Sequence, residues 1–400
     1  MVKEHQMNMK KLSELIVNKR KLILVIFLVL AAAGAVLQSY TVINNDMTQY
    51  LPKNSKTKQG MTVMEEEFGD SSSMNLMFTG LTEQEKAEIH KTLSQMEYVD
   101  SVDYEADSGS YNRDGYTLYV VSAKYNAYSD EAGALLTAVE EEYRGSYDLS
   151  IGGAIIDGQK QGVDSLLILA AVALLIVVLF IMCSSWLEPI LFLAAIGAAI
   201  LLNAGTNIIF PSVSQMTNSV AAILQLALSM DYSIMLIDRY RYERQQTTDK
   251  EKAMKQAISD GFTSIASSSV TTIVGLLCLV FMSFTIGMDM GLVLAKGVFF
   301  SLVTILFVLP SLILLFDKAV EKTKKKTPRL KMDGIAKFNY KFRFVIMGVF
   351  VAVFIGSFLL KDKAAVEFTS PSINSEHDQI DEVFPADNTI VLLYQNSDED

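Results

Sequence analysis

Residues 229–244 read SMDYSIMLIDRYRYER. Asp231 stands inside a run that is otherwise apolar, with VAAILQLALSM before it from Val220 and IMLI after it. A helix built from such a run is long enough to cross about 30 Å of hydrocarbon. Insertion scales put a carboxylate near the centre of a span at roughly 2.5–3.5 kcal/mol unfavourable. Arg239 follows Asp231, and at 1.5 Å per residue the acid lies about 12 Å in from that basic edge. The stretch decides the fold class, and it asks what an acid does there.

The 400 residues are 50% hydrophobic, and the apolar residues are bunched into long runs separated by polar stretches. That is the pattern of a polytopic α-helical membrane protein. Seven candidate spans are Leu22–Leu37, Leu166–Met182, Pro189–Leu202, Val213–Ile237, Ile265–Phe284, Gly291–Phe316 and Phe344–Leu360. Asn203, Thr206 and Asn207 interrupt the third. The first also fits a secretory signal, with Lys19-Arg20-Lys21 ahead of it and Ala31-Ala32-Ala33 as a cleavage site; the six further spans favour an uncleaved helix.

Net charge is −11, and residues 41–163 alone carry 21 Asp/Glu against 9 Lys/Arg. Basic residues cluster at Lys10 to Lys21, Arg239 to Lys255 and Lys318 to Arg343. Seven spans put all three clusters on one side, which positive residues mark as cytoplasmic. The expected layout is a multi-pass protein of the cell (plasma) membrane. Residues 1–21 form a cytoplasmic amino terminus, 22–40 the first span and 41–163 an extracellular domain. Residues 164–317 hold spans two to six, 318–343 a basic cytoplasmic linker, 344–360 the seventh span and 361–400 the start of a second extracellular domain.

Within 41–163 the pattern predicts a strand at Met74–Thr79 and a helix over Thr82–Glu97, with Thr82 and Glu85 forming a capping box. Strands follow at Tyr98–Tyr104 and Tyr116–Lys124, joined through the turn-rich DSGSYNRDG. A helix over Ser129–Tyr143 and a strand at Asp148–Ile151 complete the order βαββαβ. This is an α+β, ferredoxin-like unit. EEEFGDSSSMNLMFTG (Glu65–Gly80) also aligns with DEVFPADNTIVLLYQN (Asp381–Asn396), matching Phe68 to Phe384 and Met74–Phe78 to Ile390–Tyr394. The expectation is a duplicated half, with these residues the front part of a longer two-fold repeat; a chance match of two β-like stretches is the alternative.

Acids inside spans seldom face lipid and usually serve ion or proton movement. Asp231 is therefore read as a proton or cation relay, with Tyr232 able to donate a hydrogen bond to a carboxylate on a neighbouring helix. A protonated structural acid is the other reading. Asp238, beside Arg239 and Arg241, reads as a solvated edge charge. Ser264, Ser268, Thr271 or Thr272, and Gly275 recur along one helical face; they serve close helix packing or line the path to Asp231. Lys296 is expected to snorkel to the outer surface. Pro310 is assigned no chemistry, and the Lys318–Lys341 segment is expected along anionic lipid or as a topology determinant.

Cys183 and Cys278 lie at or within spans, so the outer segment has no disulfide framework. His5, His90 and His377 show no metal-ligand spacing and read as surface residues. The sequence has no GxxxxGK[ST], HExxH, GxSxG or paired-cysteine motif. No enzyme activity, cofactor, metal or nucleic-acid partner is expected.

SSWLEPILFL (184–193), NAGTNIIF (203–210), ILQLALSMDYSIMLIDRYR (223–241) and AKGVFFSLVTILFVLPSLILL (295–315) resemble the resistance-nodulation-division (RND) transporters, and among them the MMPL type. The fourth-span Asp-Tyr ahead of the Arg-Tyr-Arg edge is the most specific likeness. The resemblance implies an RND-type half repeat from a twelve-span secondary transporter driven by protons, with Asp231 and Tyr232 pairing with an equivalent pair on a tenth span. The short outer domain suits export of lipids or other hydrophobic molecules rather than a three-part envelope-spanning pump. A SecDF-like accessory to protein translocation and a non-transporting sensor or scaffold are the alternatives. Homo-oligomerisation is left open.

Overall fold

The computed structural model describes residues 2–68, 72–159, 165–325, 332–361 and 375–385. It forms two units, Met1–Lys325 with Asn374–Asp400, and Lys326–Ile373. The first unit begins with α1 (Val2–Asn18), α2 (Arg20–Leu37), the short strand β1 (Ile43–Asn44) and α3 (Lys56–Phe68). An α/β domain follows: β2 (Ser72–Thr79), α4 (Glu83–Leu93), β3 (Val99–Asp103), β4 (Asn112–Arg113), β5 (Tyr116–Ala123), α5 (Asp130–Tyr143), β6 (Leu149–Gly152) and α6 (Ala154–Gln159). Then come α7 (Ser165–Met182), α8 (Glu188–Gly205), β7 (Val213–Ser214), α9 (Gln215–Gln246), α10 (Lys250–Leu277), α11 (Ile286–Leu315) and α12 (Asp317–Lys322). The second unit holds α13 (Met332–Leu360), after which α14 (Ser375–Val383) rejoins the first.

Among the described residues, six helices are long and apolar enough to cross a membrane: α2, α8, α9, α10, α11 and α13. The expected second span falls on α7, with a shorter described apolar stretch, Val172–Met182. Helices satisfy the backbone within one segment, which hydrocarbon demands. α9 and α10 outrun the expected Val213–Ile237 and Ile265–Phe284, continuing as polar helix. Asp249 starts α10 by accepting from the N–H groups of Glu251 and Lys252, an ordinary N-cap.

α11 is the hub of the bundle, packed on α2, α8, α9 and α10. Within its span 61% of residues are buried, against 11% in α10. Pro310 lies inside α11 and is buried, where packed neighbours tolerate the missing donor. α2 and α8 cross at Gly34 and Gly205, where a Cβ on Gly205 would lie 2.3 Å from Gly34 Cα; small residues permit such an approach. α1 lies against α10 and α11, with Ile16 and Val17 in the core. In the second unit, none of the α13 span is buried.

The sheet of the α/β domain runs β3-β5-β2-β6, with every neighbouring pair antiparallel and β4 added beside β5. β4 and β5 meet through Asp114-Gly115, both at positive φ (51° and 83°), the two-residue turn that matches strand twist. Along β2 the side chains alternate. Met74, Leu76 and Phe78 join Ile89 and Leu93 of α4 and Leu135 and Val139 of α5 in the core. The predicted capping box is present: Thr82 Oγ1 accepts from the Glu85 N–H at 3.4 Å, and Glu85 Oε2 accepts from the Thr82 N–H at 2.8 Å.

The other sheet face is covered by α14. Ile380 and Phe384 pack on Met77 and Leu118. Arg144 donates to both Glu376 oxygens, at 2.8 and 3.1 Å, and Glu376 also accepts from the Ile151 N–H at 3.0 Å. His377, expected as a surface residue, accepts from the Gly153 N–H at 3.2 Å. The repeat strand Ile390–Tyr394 lies outside the described residues. At the bundle, β1 pairs in parallel with β7, and the Tyr50 carbonyl accepts from the Thr285 N–H and Oγ1, both at 2.9 Å. Residues 43–50 therefore line the end of the bundle next to the α/β domain.

Candidate functional site

α9 carries the predicted acid. Ser214 caps the helix by accepting from the Met216 N–H. Its buried stripe is Thr217, Ala221, Gln225, Ser229, Tyr232, Ser233, Leu236 and Tyr240, spaced as one helical face. Tyr232 packs in the bundle core with Phe192, Leu236 and Ile305. Asp231 falls off that stripe and is exposed, as are Met235 and Asp238 along the same side. Among the described residues Asp231 has no hydrogen-bond or ion-pair partner. Asp231 and Tyr232 are neighbours in sequence on different sides of the helix.

α10 runs antiparallel to α9. Arg239 pairs with Asp260, and Gly261 sits against Leu236. Five residues back along α9 from Leu236 is Asp231; the same distance forward along α10 from Gly261 falls in the Ser264–Ser268 turn. Ser264, Ser268 and Thr271 are exposed, and Thr272 is half-buried. Thr271 and Thr272 donate to the Ser267 and Ser268 carbonyls at 2.9 and 3.1 Å. These hydroxyl residues thus begin at the level of Asp231, with no hydrogen bond to it.

A polar seam occupies the opposite, buried side of α9. Lys296 of α11 donates to the Asn203 carbonyl at 2.9 Å, Thr206 Oγ1 at 2.9 Å and Asn207 Oδ1 at 2.7 Å, and lies 5.3 Å from the Phe210 ring centre. Asn203 Nδ2 donates to Gln225 Oε1 at 3.2 Å, and Gln225 Nε2 to the Gly297 carbonyl at 3.0 Å. One turn on, Ser229 Oγ donates to Ser301 Oγ at 2.6 Å. Lys296, expected to snorkel to the outer surface, is half-buried and reaches the broken end of α8, where three acceptors satisfy its ammonium. In sequence Asn203, Thr206 and Asn207 mark only an interruption of a span. Three neutral oxygens facing a lone span lysine were the signal.

The MMPL family profile matches residues 42–352. The chain belongs to the MMPL family. This MMPL chain is 34% identical over 110 residues to membrane protein MJ1562 of Methanocaldococcus jannaschii, covering 28% of each chain. It is 32% identical over 101 residues to the hopanoid transporter HpnN of Rhodopseudomonas palustris, covering 25% of this chain and 12% of that one. Among solved structures, SecDF, a translocon-associated membrane protein from Thermus thermophilus, matches 76% of this chain and 38% of its own at 14% identity. Its TM-score of 0.44 is too low to argue fold or partner.

The basic end of the MMPL bundle is held by ion pairs. Glu188, at the start of α8, accepts from the N–H groups of Ser184 and Ser185 at 2.8 and 3.1 Å and from Arg241 at 2.5 Å. Arg241 also meets the exposed Asp238 at 2.7 Å. Tyr240 donates to Asp317 at 3.1 Å, and Arg20 joins Glu251 at 2.8 Å. The DRYRYER edge of α9 is therefore fastened to α8, α10 and α12.

Proposed function

We propose that this MMPL chain serves a proton-coupled secondary transporter that exports lipids or other hydrophobic molecules. In this reading the bundle spans the plasma membrane, its basic end and amino terminus are cytoplasmic, and the α/β domain is extracellular. The β3-β5-β2-β6 order, with α4 and α5 on one face, supports a ferredoxin-like domain. The name of the hopanoid transporter relative supports a hydrophobic substrate.

The observation that carries the proposal is Asp231: a carboxylate within a spanning helix, exposed, with no partner among the described residues, level with the hydroxyl face of α10. A bare acid against lipid is too costly to keep without a use. The face is complete only when a wet cavity or a second bundle covers it, and the family's tenth-span pair would fill that place. Tyr232 supports the relay from the core side, as a packed neighbour that fixes the backbone carrying Asp231.

The test compares wild type with Asp231→Asn and Asp231→Glu, matched for expression, in cells exporting a fluorescent lipid analogue under an imposed proton gradient. Loss of gradient-driven export in Asp231→Asn, with partial activity in Asp231→Glu, is expected. Undiminished export in Asp231→Asn would sink the proposal.

A further inference from the structure

We propose that the junction between the end of α8 and α11 is an alkali-cation site whose resident cation is the chain's own Lys296 ammonium. The inference does not depend on the role of Asp231.

The ligands are the first ground. Lys296 Nζ is met by one main-chain carbonyl, one hydroxyl and one carboxamide oxygen, at 2.9, 2.9 and 2.7 Å. All three are neutral and hard. They sit where α8 ends at Gly205 and the chain tightens into a 3₁₀ turn, Thr206–Ile209. The carboxyl end of a helix carries partial negative charge. Helix ends and unwound carbonyls of this kind hold sodium ions in membrane transporters.

Charge is the second ground. Among the described residues no carboxylate pairs with Lys296, so a single positive charge is balanced by dipoles and by the face of Phe210. A divalent ion would lack counter-charge there.

Spare ligand capacity is the third. Asn203 is 3% exposed, and among the described residues its Oδ1 has no partner although its Nδ2 and carbonyl are both used. A buried acceptor without a donor is uncommon and needs a reason. An ammonium has three N–H groups, and all three are already spent. A spherical ion has no such limit, and the Asn203 side-chain oxygen becomes a fourth ligand once its amide turns toward the ion. Gly297 sits beside the Asn203 amide, which a Cβ there would approach to 2.8 Å, so a larger residue at 297 would push that amide out of place.

A tethered ammonium makes this corner of the bundle independent of external sodium, and removing the tether opens the site. The test uses the purified chain in detergent, as wild type, Lys296→Ala, Lys296→Met and Lys296→Ala with Asn207→Ala. Thermal melting is measured in sodium, potassium or choline chloride at equal ionic strength, and saturable binding is measured with radiolabelled sodium. In choline, Lys296→Ala should melt several degrees below wild type. Sodium should restore it and bind saturably. Wild type and Lys296→Met, whose sites are filled, should neither bind sodium nor respond to it, and loss of the Asn207 oxygen should abolish the rescue. The proposal is overturned if Lys296→Ala melts alike in sodium and choline, whatever its stability, or if wild type binds sodium equally. Failure of Lys296→Ala to fold in both salts overturns it too.

Discussion

Replacing Glu188 with alanine strikes the most buried acid among the described residues, 4% exposed. Its carboxylate closes the turn before α8 through two backbone N–H groups and holds Arg241. The two side chains are 5% and 25% exposed, so the discount for solvent-screened surface pairs does not apply. Among the described residues alanine leaves Arg241 with only the exposed Asp238, and it leaves two N–H groups without an acceptor. Breaking a sheltered pair from one side costs about 3–5 kcal/mol. Glu188→Gln keeps an oxygen for the N–H groups and loses the charge, so its expected cost is smaller, about 1–2 kcal/mol. Because Arg241 is stranded only while it remains, Glu188→Ala with Arg241→Ala should cost less than the sum of the two single changes, the mark of coupled neighbours. Unfolding free energies from denaturant titration in mixed micelles provide the measurement. A Glu188→Ala value within about 0.5 kcal/mol of wild type, or strict additivity in the double variant, would refute the reasoning.

Two further outcomes are expected. Gly34→Val should part α2 from α8, because even a Cβ would lie 2.4 Å from the Leu201 carbonyl oxygen; overpacking of this kind costs about 1–3 kcal/mol, read as a lower melting temperature. Thr82→Ala should cost the α/β domain about 1 kcal/mol. The hydrogen bonds from Thr82 hold the Glu85 carboxyl below its ordinary pKa. A depressed carboxylate pKa contributes stability above the unfolded value and loses it as pH falls through the folded one. The part of the Thr82→Ala penalty that comes from the Thr82 hydroxyl donating to the Glu85 carboxylate at 2.7 Å should therefore shrink as the domain is acidified below about pH 4.3, the ordinary glutamate value; an unchanged penalty at low pH would exclude that bond as a contributor.

The spanning helices were legible because hydrocarbon imposes its own length on an apolar run. Their polar extensions were not, since hydropathy falls where α9 leaves the apolar layer while the helix itself runs on to Gln246. The α/β domain was legible from strand alternation and from the Thr82 cap. Its second covered face was hinted at only by MNLMFT, which is apolar at successive positions; a strand buried on one face alone would alternate. Nothing local says that Ile380 and Phe384, some three hundred residues on, supply the cover. Asp231 announced itself as one charge in an apolar run. The seam did not, because Asn203, Gln225, Ser229 and Ser301 are individually cheap to place in a helix. Only interhelical contact turns them into a network.

The two kinds of polar group divide across α9, and the division constrains how the helix works. On one side Gln225 and Ser229 are hydrogen-bonded to Asn203, Gly297 and Ser301, and at the basic end Arg241 and Tyr240 are tied to Glu188 and Asp317. Turning α9 about its own axis would break these bonds together and strand buried donors, each at about 1–3 kcal/mol. Asp231 lies on the side where, among the described residues, no such bond holds it. A charge change at Asp231 is therefore not answered by rotation of α9 alone. Under the proposed relay, a proton gained or lost at Asp231 is expected to move α8, α9 and α11 as one body against whatever covers the Asp231 face. Cutting the seam with Ser229→Ala and Gln225→Leu, which removes its bonds without touching Asp231, separates the two cases: rigid-body coupling requires that these changes weaken the response of transport to the proton gradient while Asp231 remains in place.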